Sequence, residues 1–216
     1  GRRSSIRARC ASDRRPSLTM GAAPPPPAGP AFPAPHVLHT ARLLLRPMQP
    51  ADAEALHTLL TEPEVLRHWD TPAWPDVAQA RAFIVDEQRA LVEGESITLG
   101  IYQGDPPRLI GECLLFAVDR QAGRAELGFA LAPGAWGRGY LHEAAGALIG
   151  YGFERLQLRR IEAEIDAGNA AAARALERIG FRREGLLRER WAVDGRIADA
   201  AFYGLLAREW AARSVD

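Results

Sequence analysis

Residues 133–140 read Pro133-Gly134-Ala135-Trp136-Gly137-Arg138-Gly139-Tyr140, and the segments on either side of them decide the fold. Upstream, Arg124-Ala125-Glu126-Leu127-Gly128-Phe129-Ala130-Leu131 has the period of a strand. Downstream, Leu141, Ala144, Ala145, Leu148, Ile149, Gly152 and Phe153 recur every three to four residues, the period of a helix. Residues 158–165 then read as a second strand. The order strand, glycine-rich turn, helix, strand is that of a right-handed crossover between parallel strands.

Further from this unit the periods keep alternating. Residues 42–46 form a short strand candidate ended by Pro47, and residues 52–60 show helical spacing. A loop over residues 68–75 carries His68, Trp69 and Trp74. Asp76 caps the next helix, with Gln79 completing a capping box and Gly94 closing the far end. Residues 97–102 and 109–118 form a hairpin across Gly104-Asp105-Pro106-Pro107. Asn169 caps a helix over residues 170–179 that ends at Gly180, and strands at 188–193 and 198–206 flank Asp194-Gly195. The pattern specifies a single α/β (α+β) domain over residues 40–216, with about seven strands.

Residues 1–39 read differently. Eight of the 16 prolines fall between Pro16 and Pro35, and proline lacks the amide that helices and sheets need. A disordered tail is expected there, with neither stability nor ligand affinity depending on it. Charge divides in the same way. Residues 1–40 hold six Arg against one Asp, a balance of +5, and residues 41–216 hold 21 Arg against 26 acids, a balance of −5. A mildly acidic domain argues against a broad nucleic-acid footprint. No run of about 18 apolar residues predicts a membrane span. Cys10 and Cys113 suggest neither a disulfide framework nor a metal site, which points to a reducing, cytoplasmic setting.

Glycines between a strand and a helix start let backbone approach a ligand closely, and the free amides there favour an anion. Dinucleotide and mononucleotide signatures fail: His142 stands where the former needs its third glycine, and the chain has no Lys. The spacing of Trp136-Gly137-Arg138-Gly139-Tyr140, Glu143-Ala144, Asn169 and Glu177-Arg178-Ile179-Gly180-Phe181 resembles the acetyl-coenzyme A motifs of the GNAT superfamily of N-acetyltransferases. Thr40-Ala41-Arg42-Leu43-Leu44-Leu45-Arg46-Pro47 with Asp52-Ala53 resembles the opening of its ribosomal-protein N-terminal acetyltransferase branch, and Gly185, Asp199, Tyr203 and Glu209-Trp210 resemble its ending.

That resemblance implies a sheet splayed between its fourth and fifth strands. Acetyl-coenzyme A (acetyl-CoA) would lie in the gap, its pantetheine on the backbone of Phe129, Ala130 and Leu131 and its pyrophosphate on Trp136, Gly137, Arg138, Gly139 and Tyr140. Asn169 either contacts pantetheine or only caps its helix. The implied reaction is direct acetyl transfer to a primary amine, most naturally a protein N-terminus. The alternatives are a small-molecule amine acceptor and an impaired acyl-CoA-binding module. Glu126 is the first candidate for the base and His68 the next, with Trp69 and Trp74 as acceptor contacts. Either carboxylate or imidazole could instead be structural. Two proton-donor positions known from the superfamily hold Ala172 and Leu176, leaving the general acid open. No metal is implied, and the chain would act as a monomer or homodimer.

Overall fold

The computed structural model describes residues 32–34 and 36–213. Among these residues, eight strands form one mixed sheet in the order β1-β2-β3-β4-β5-β6-β8-β7. They are β1 Leu38–His39, β2 Leu43–Arg46, β3 Ile97–Gln103, β4 Arg108–Asp119, β5 Arg124–Leu131, β6 Arg160–Asp166, β7 Arg182–Val193 and β8 Arg196–Leu206. Every pairing is antiparallel except β5 with β6. That exception spans the glycine-rich turn and the helix after it, the crossover read from the sequence.

Alternation along the strands sends side chains to two covered faces. Ile97, Leu99, Ile101, Leu115 and Leu127 pack against Ala144, Ala145, Leu148 and Ile149 of helix α4 (Tyr140–Glu154), and Leu176 and Ile179 of α5 (Ala170–Ile179) join that core. A second cluster unites Leu56, Leu59 and Leu60 of α1 (Ala53–Thr61) with Phe83 and Ile84 of α3 (Val77–Val92) and Ala130. Two short helices, α2 (Pro63–Leu66) and α6 (Ala207–Arg213), complete the set. Asp76 caps α3 by accepting from the Gln79 amide at 3.2 Å. Gly94, at φ +69°, ends it with the Gly94 amide on Leu91 and the Glu95 amide on Ala90, the paired bonds of a Schellman motif.

The expected splay is present. β5 and β6 are in register only from Arg124 opposite Arg160 to Glu126 opposite Glu162. Beyond that point both strands continue, β5 beside β4 alone and β6 beside β8 alone.

Among the described residues the sheet has one strand beyond the expected seven or so, which is compatible with that reading, and two other expectations need correction. The added strand, Leu38–His39, pairs with Leu45 and Leu44, inside the segment assigned to the tail. That segment is also anchored further back. Phe32 is 4% exposed within the larger core, with the Arg120 guanidinium 5.0 Å from its ring, and Arg155 donates to the Ala34 carbonyl at 2.9 Å. The folded part therefore reaches at least to Phe32, and residues 1–31, with the expectation of disorder there, lie outside the described residues. Lastly, β7 starts six residues earlier than expected. Its exposed edge position and its register shift between Leu187 and Trp191 blur the alternation that marks a strand. No helix among the described residues is long and apolar enough to cross a membrane.

On the face covered by α1 and α3, Glu112 stands opposite Gly100 and Ala130, fully buried, and its Oε2 has no hydrogen-bond partner among the described residues. Burial, reinforced by the charge of Glu87, pushes its pKa up to about 8. The folded chain thus keeps a proton that the unfolded chain releases above the ordinary Glu range. Stability from this residue is fully present at acid pH and falls as pH rises from about 4.5 to about 8.

Two stability measurements follow. Phe32→Ala should lower stability by about 3 kcal/mol in thermal or denaturant melts, and a chain shortened to begin at Thr40 should melt lower as well. Unchanged melting would show that Phe32 only rests on the surface. Glu112→Gln should flatten the decline in stability between pH 5 and pH 8, a decline of at most about 1.4 kcal/mol per pH unit. An identical pH slope in wild type and variant would show that the Glu112 carboxyl is ionised in the fold.

Candidate active site

Past Glu126 the residues 127–131 of β5 have a strand neighbour on one side only. Phe129 and Leu131 turn their side chains to one core and Ala130 to the other. A molecule entering here meets the strand's backbone edge. Peptide-like amides are therefore the groups it would need, as in strand addition. The Leu131 carbonyl already accepts a 2.8 Å bond from the Trp136 indole N–H, which fixes the start of the turn against the strand.

After a single 3-10 turn (Pro133–Ala135), Gly137 and Gly139 take φ of +72° and +77°, the left-handed region that other residues resist. Open space lies where a Cβ of Gly137 would stand. Gly139 is the N-cap of α4 and offers no side chain to its amides, and the first bond back into the helix runs from Glu143 to the Gly139 carbonyl. The amides of Tyr140, Leu141 and His142 are thus without helical acceptors, beside an exposed Arg138. These groups fit a pyrophosphate. Across the opening, Asn169 accepts from the Ala172 amide at 3.0 Å as the N-cap of α5. Its oxygen is committed to the cap, so any contact with pantetheine falls to its amide nitrogen.

Glu126 is half-buried at the point where the strands part. Burial raises its pKa to about 7, Glu164, Glu162 and Asp70 add to the rise, and Arg190 opposes it. The interaction with Asp70 links the 68–75 loop to this carboxyl. The other acids on this face are compensated: Arg124 and Arg160 hold Glu162 at 3.2 and 2.7 Å, and Arg190 and Trp191 hold Glu164 at 3.1 and 2.7 Å.

His68 is tied to the end of β6. Its Nδ1 lies 3.0 Å from Asp166 Oδ2, and Asp166 also accepts from the Gly168 amide at 2.8 Å and Arg196 at 3.2 Å. Burial alone would raise the Asp166 pKa, but the bonds from His68, Gly168 and Arg196 outweigh it and hold it low. An ionised carboxylate only accepts, so Nδ1 donates to Asp166 and Nε2 is the ring nitrogen left for another partner. Arg196 reaches further, to the Trp69 carbonyl at 3.2 Å, so Asp166 and Arg196 together pin the loop. Sequence reading missed both. Asp166-Ala167-Gly168 is a local signal for a side chain turning back on its own backbone, whereas the Arg196 contact spans 30 residues and leaves no pattern.

The two tryptophans of the loop separate. Trp69 is half-buried at the edge of the smaller core. Trp74 is 6% exposed and packs on Phe83 at 5.3 Å between centroids, which removes it from the acceptor wall. Large aromatic area makes it a better core plug than a surface contact. Ala172 and Leu176 are both buried in the larger core, so α5 presents no proton donor at either position.

An opened parallel pair beside a glycine turn receptive to anions accommodates a ligand that carries both peptide-like amides and a phosphate. The family profile described as Acetyltransferase (GNAT) domain matches residues 42–182, and the chain belongs to that family. It is an acetyl-CoA-dependent N-acetyltransferase. It is 37% identical over 174 residues, 81% of this chain and 98% of the relative, to the uncharacterized N-acetyltransferase p20 of Bacillus licheniformis. It is 27% identical over 180 residues, 80% of this chain and 92% of the relative, to the [ribosomal protein uS5]-alanine N-acetyltransferase of Escherichia coli. Spermidine N-acetyltransferase from Vibrio cholerae, solved with CoA and spermine, shares the fold at a TM-score of 0.71 and 20% identity, over 79% of this chain and 99% of that one.

If residues 136–140 receive the pyrophosphate, Gly139→Asp sets backbone strain and a negative charge against it. Calorimetry should show CoA affinity falling by about tenfold or more. Affinity equal to wild type would move the donor site elsewhere.

Proposed function

We propose that the protein transfers the acetyl group of acetyl-CoA to the α-amino group of a protein or peptide N-terminus, with Glu126 as the general base. The observation that carries the acceptor assignment is the position of Glu126 at the last register pair before β5 and β6 part, where burial and neighbouring acids raise its pKa to about 7. An α-ammonium, near 7.7 to 8.0, can pass its proton to such a base at little cost, whereas a Lys-type ammonium near 10.4 stands more than about three units uphill. Membership of a family that includes an alanine N-acetyltransferase supports the same reading.

A small cationic amine is the second reading, favoured by the acids gathered around Glu126. Glu162 and Glu164 are already compensated by Arg124, Arg160 and Arg190, so they offer a polycation little uncompensated charge. The N-terminal acceptor is therefore preferred.

Acetyl-CoA supplies an activated thioester, which needs no enzyme nucleophile. The chain holds its pantetheine along residues 129–131 and its pyrophosphate at residues 136–140. Glu126 takes the ammonium proton, directly or through one water, and frees the amine for attack. His68, fixed through Nδ1, presents Nε2 beside the acceptor loop and holds the incoming N-terminus. With Ala172 and Leu176 apolar, solvent protonates the departing thiolate.

Thiol release from acetyl-CoA across peptides with free N-termini, N-blocked peptides containing Lys, and polyamines tests the acceptor. Turnover should follow the free N-terminus. Turnover confined to polyamines would establish the small-amine reading, and CoA binding without turnover on any acceptor would make the chain a binding module.

Glu126→Gln keeps shape and removes the base, so turnover should fall by roughly 10²- to 10⁴-fold at neutral pH with CoA affinity unchanged. In the wild type, activity should decline as pH drops below about 7, because a protonated Glu126 cannot accept a proton. The variant should instead follow the acceptor's own ionisation, so its deficit should shrink as pH rises toward the acceptor's pKa. A deficit constant with pH would instead mean that Glu126 positions the acceptor by charge.

A further inference from the structure

Arg42 and Glu143 stand about a hundred residues apart in sequence, and neither belongs to the donor or acceptor contacts described above. In the structure they meet beside the glycine turn. The Glu143 Oε1 accepts from the Thr40 hydroxyl at 2.6 Å and the Arg42 amide at 2.8 Å, while Oε2 accepts from Arg42 Nε at 2.7 Å and Nη2 at 2.6 Å. The remaining arm of the same guanidinium, Nη1, donates to the Arg138 carbonyl at 3.0 Å. Its plane also lies 4.7 Å over the Tyr140 ring. One side chain from the segment before β2 thus grips two points of the turn and helix start.

Two physical consequences follow from this grip. A trans peptide holds its C=O and N–H on opposite sides, so fixing the Arg138 carbonyl toward Arg42 fixes the Gly139 amide on the other side of the turn. Gly139 is in the left-handed region and carries no side chain to steady it, so the external bond sets this peptide's orientation. The second consequence is electrostatic. Burial would raise the Glu143 pKa, but the bonds from Thr40 and Arg42 outweigh it, so Glu143 is ionised at neutral pH. An acid in the first turn stabilises the helix yet opposes an anion bound at the same end. Arg42 cancels that charge and remains 48% exposed against 17% for Glu143, so the positive partner is the one facing solvent.

We propose that Arg42 and Glu143 are positioning residues for acetyl-CoA, a charge-compensated brace that aims the Arg138–Gly139 peptide and neutralises the helix start for the pyrophosphate. This rests on the reading that the pyrophosphate meets residues 136–140. The test is CoA affinity by calorimetry, with melting temperature measured alongside, for Arg42→Gln, Arg42→Lys, Glu143→Gln, the double variant Arg42→Gln/Glu143→Gln, and Gly139→Asp. Arg42→Gln should weaken CoA binding by about tenfold or more, because it frees the carbonyl and leaves Glu143 uncompensated. Arg42→Lys, which keeps charge but cannot span both partners, should fall between it and wild type. The double variant should bind CoA more tightly than Arg42→Gln, since the uncompensated carboxylate is gone. A purely structural tie predicts the reverse, with the double variant losing both stability and affinity further. If Gly139→Asp loses CoA while Arg42→Gln binds as wild type, the brace is wrong and the donor site stands. If Gly139→Asp binds CoA as wild type, the donor site is wrong and the brace falls with it.

Discussion

The parting of β5 from β6 after Glu126 is the constraint on which the remaining features depend. Backbone amides and carbonyls inside a sheet are normally all paired, and leaving several without a strand neighbour requires that something else occupy the gap. The last register pair before the parting sets Glu126 against Glu162, two like charges side by side. Arg124 and Arg160 compensate Glu162, whereas Glu126 has its proton affinity raised by burial first and by Glu164 and Glu162 next. Under the proposed function, the interruption supplies both the open strand edge for the donor and the carboxyl that acts as base.

Two carboxyls on the same face illustrate what access adds to burial. Glu112 and Glu126 both hold protons above the ordinary range, chiefly through burial. Glu112 is sealed beneath α1 and α3 and affects only the pH dependence of stability. Glu126 is half-buried at the point where the strands part, so in the proposed reaction its proton can be exchanged with an acceptor. Perturbed acids gather at functional sites, but geometry separates the one that can act from the one that cannot.

Much of this was legible in the sequence because its signals are local. The period switch around residues 124–153, the Asn169 and Asp76 caps and the glycines at 137, 139 and 94 each specify their own backbone, and the structure has them in place. The tail boundary lies further back than proline content suggests, because Phe32 in the core, the β1–β2 pairing and the Arg155 bond to Ala34 together seat the segment. Trp74 was misassigned for the opposite reason: its loop is exposed but its ring turns inward onto Phe83. The Asp166, Arg196 and His68 contacts and the Arg42 to Glu143 brace join distant segments, and no periodicity announces such pairs. Their residues were visible, but their partners were not.

Residue-resolved amide hydrogen exchange, with and without CoA, tests the central claim most directly. If the donor completes the open sheet edge and the helix start, CoA should slow exchange within residues 127–131 and at Tyr140, Leu141 and His142, while β3 and β8 stay unchanged. Protection spread evenly over the domain, or confined to segments away from β5 and the start of α4, would contradict the account.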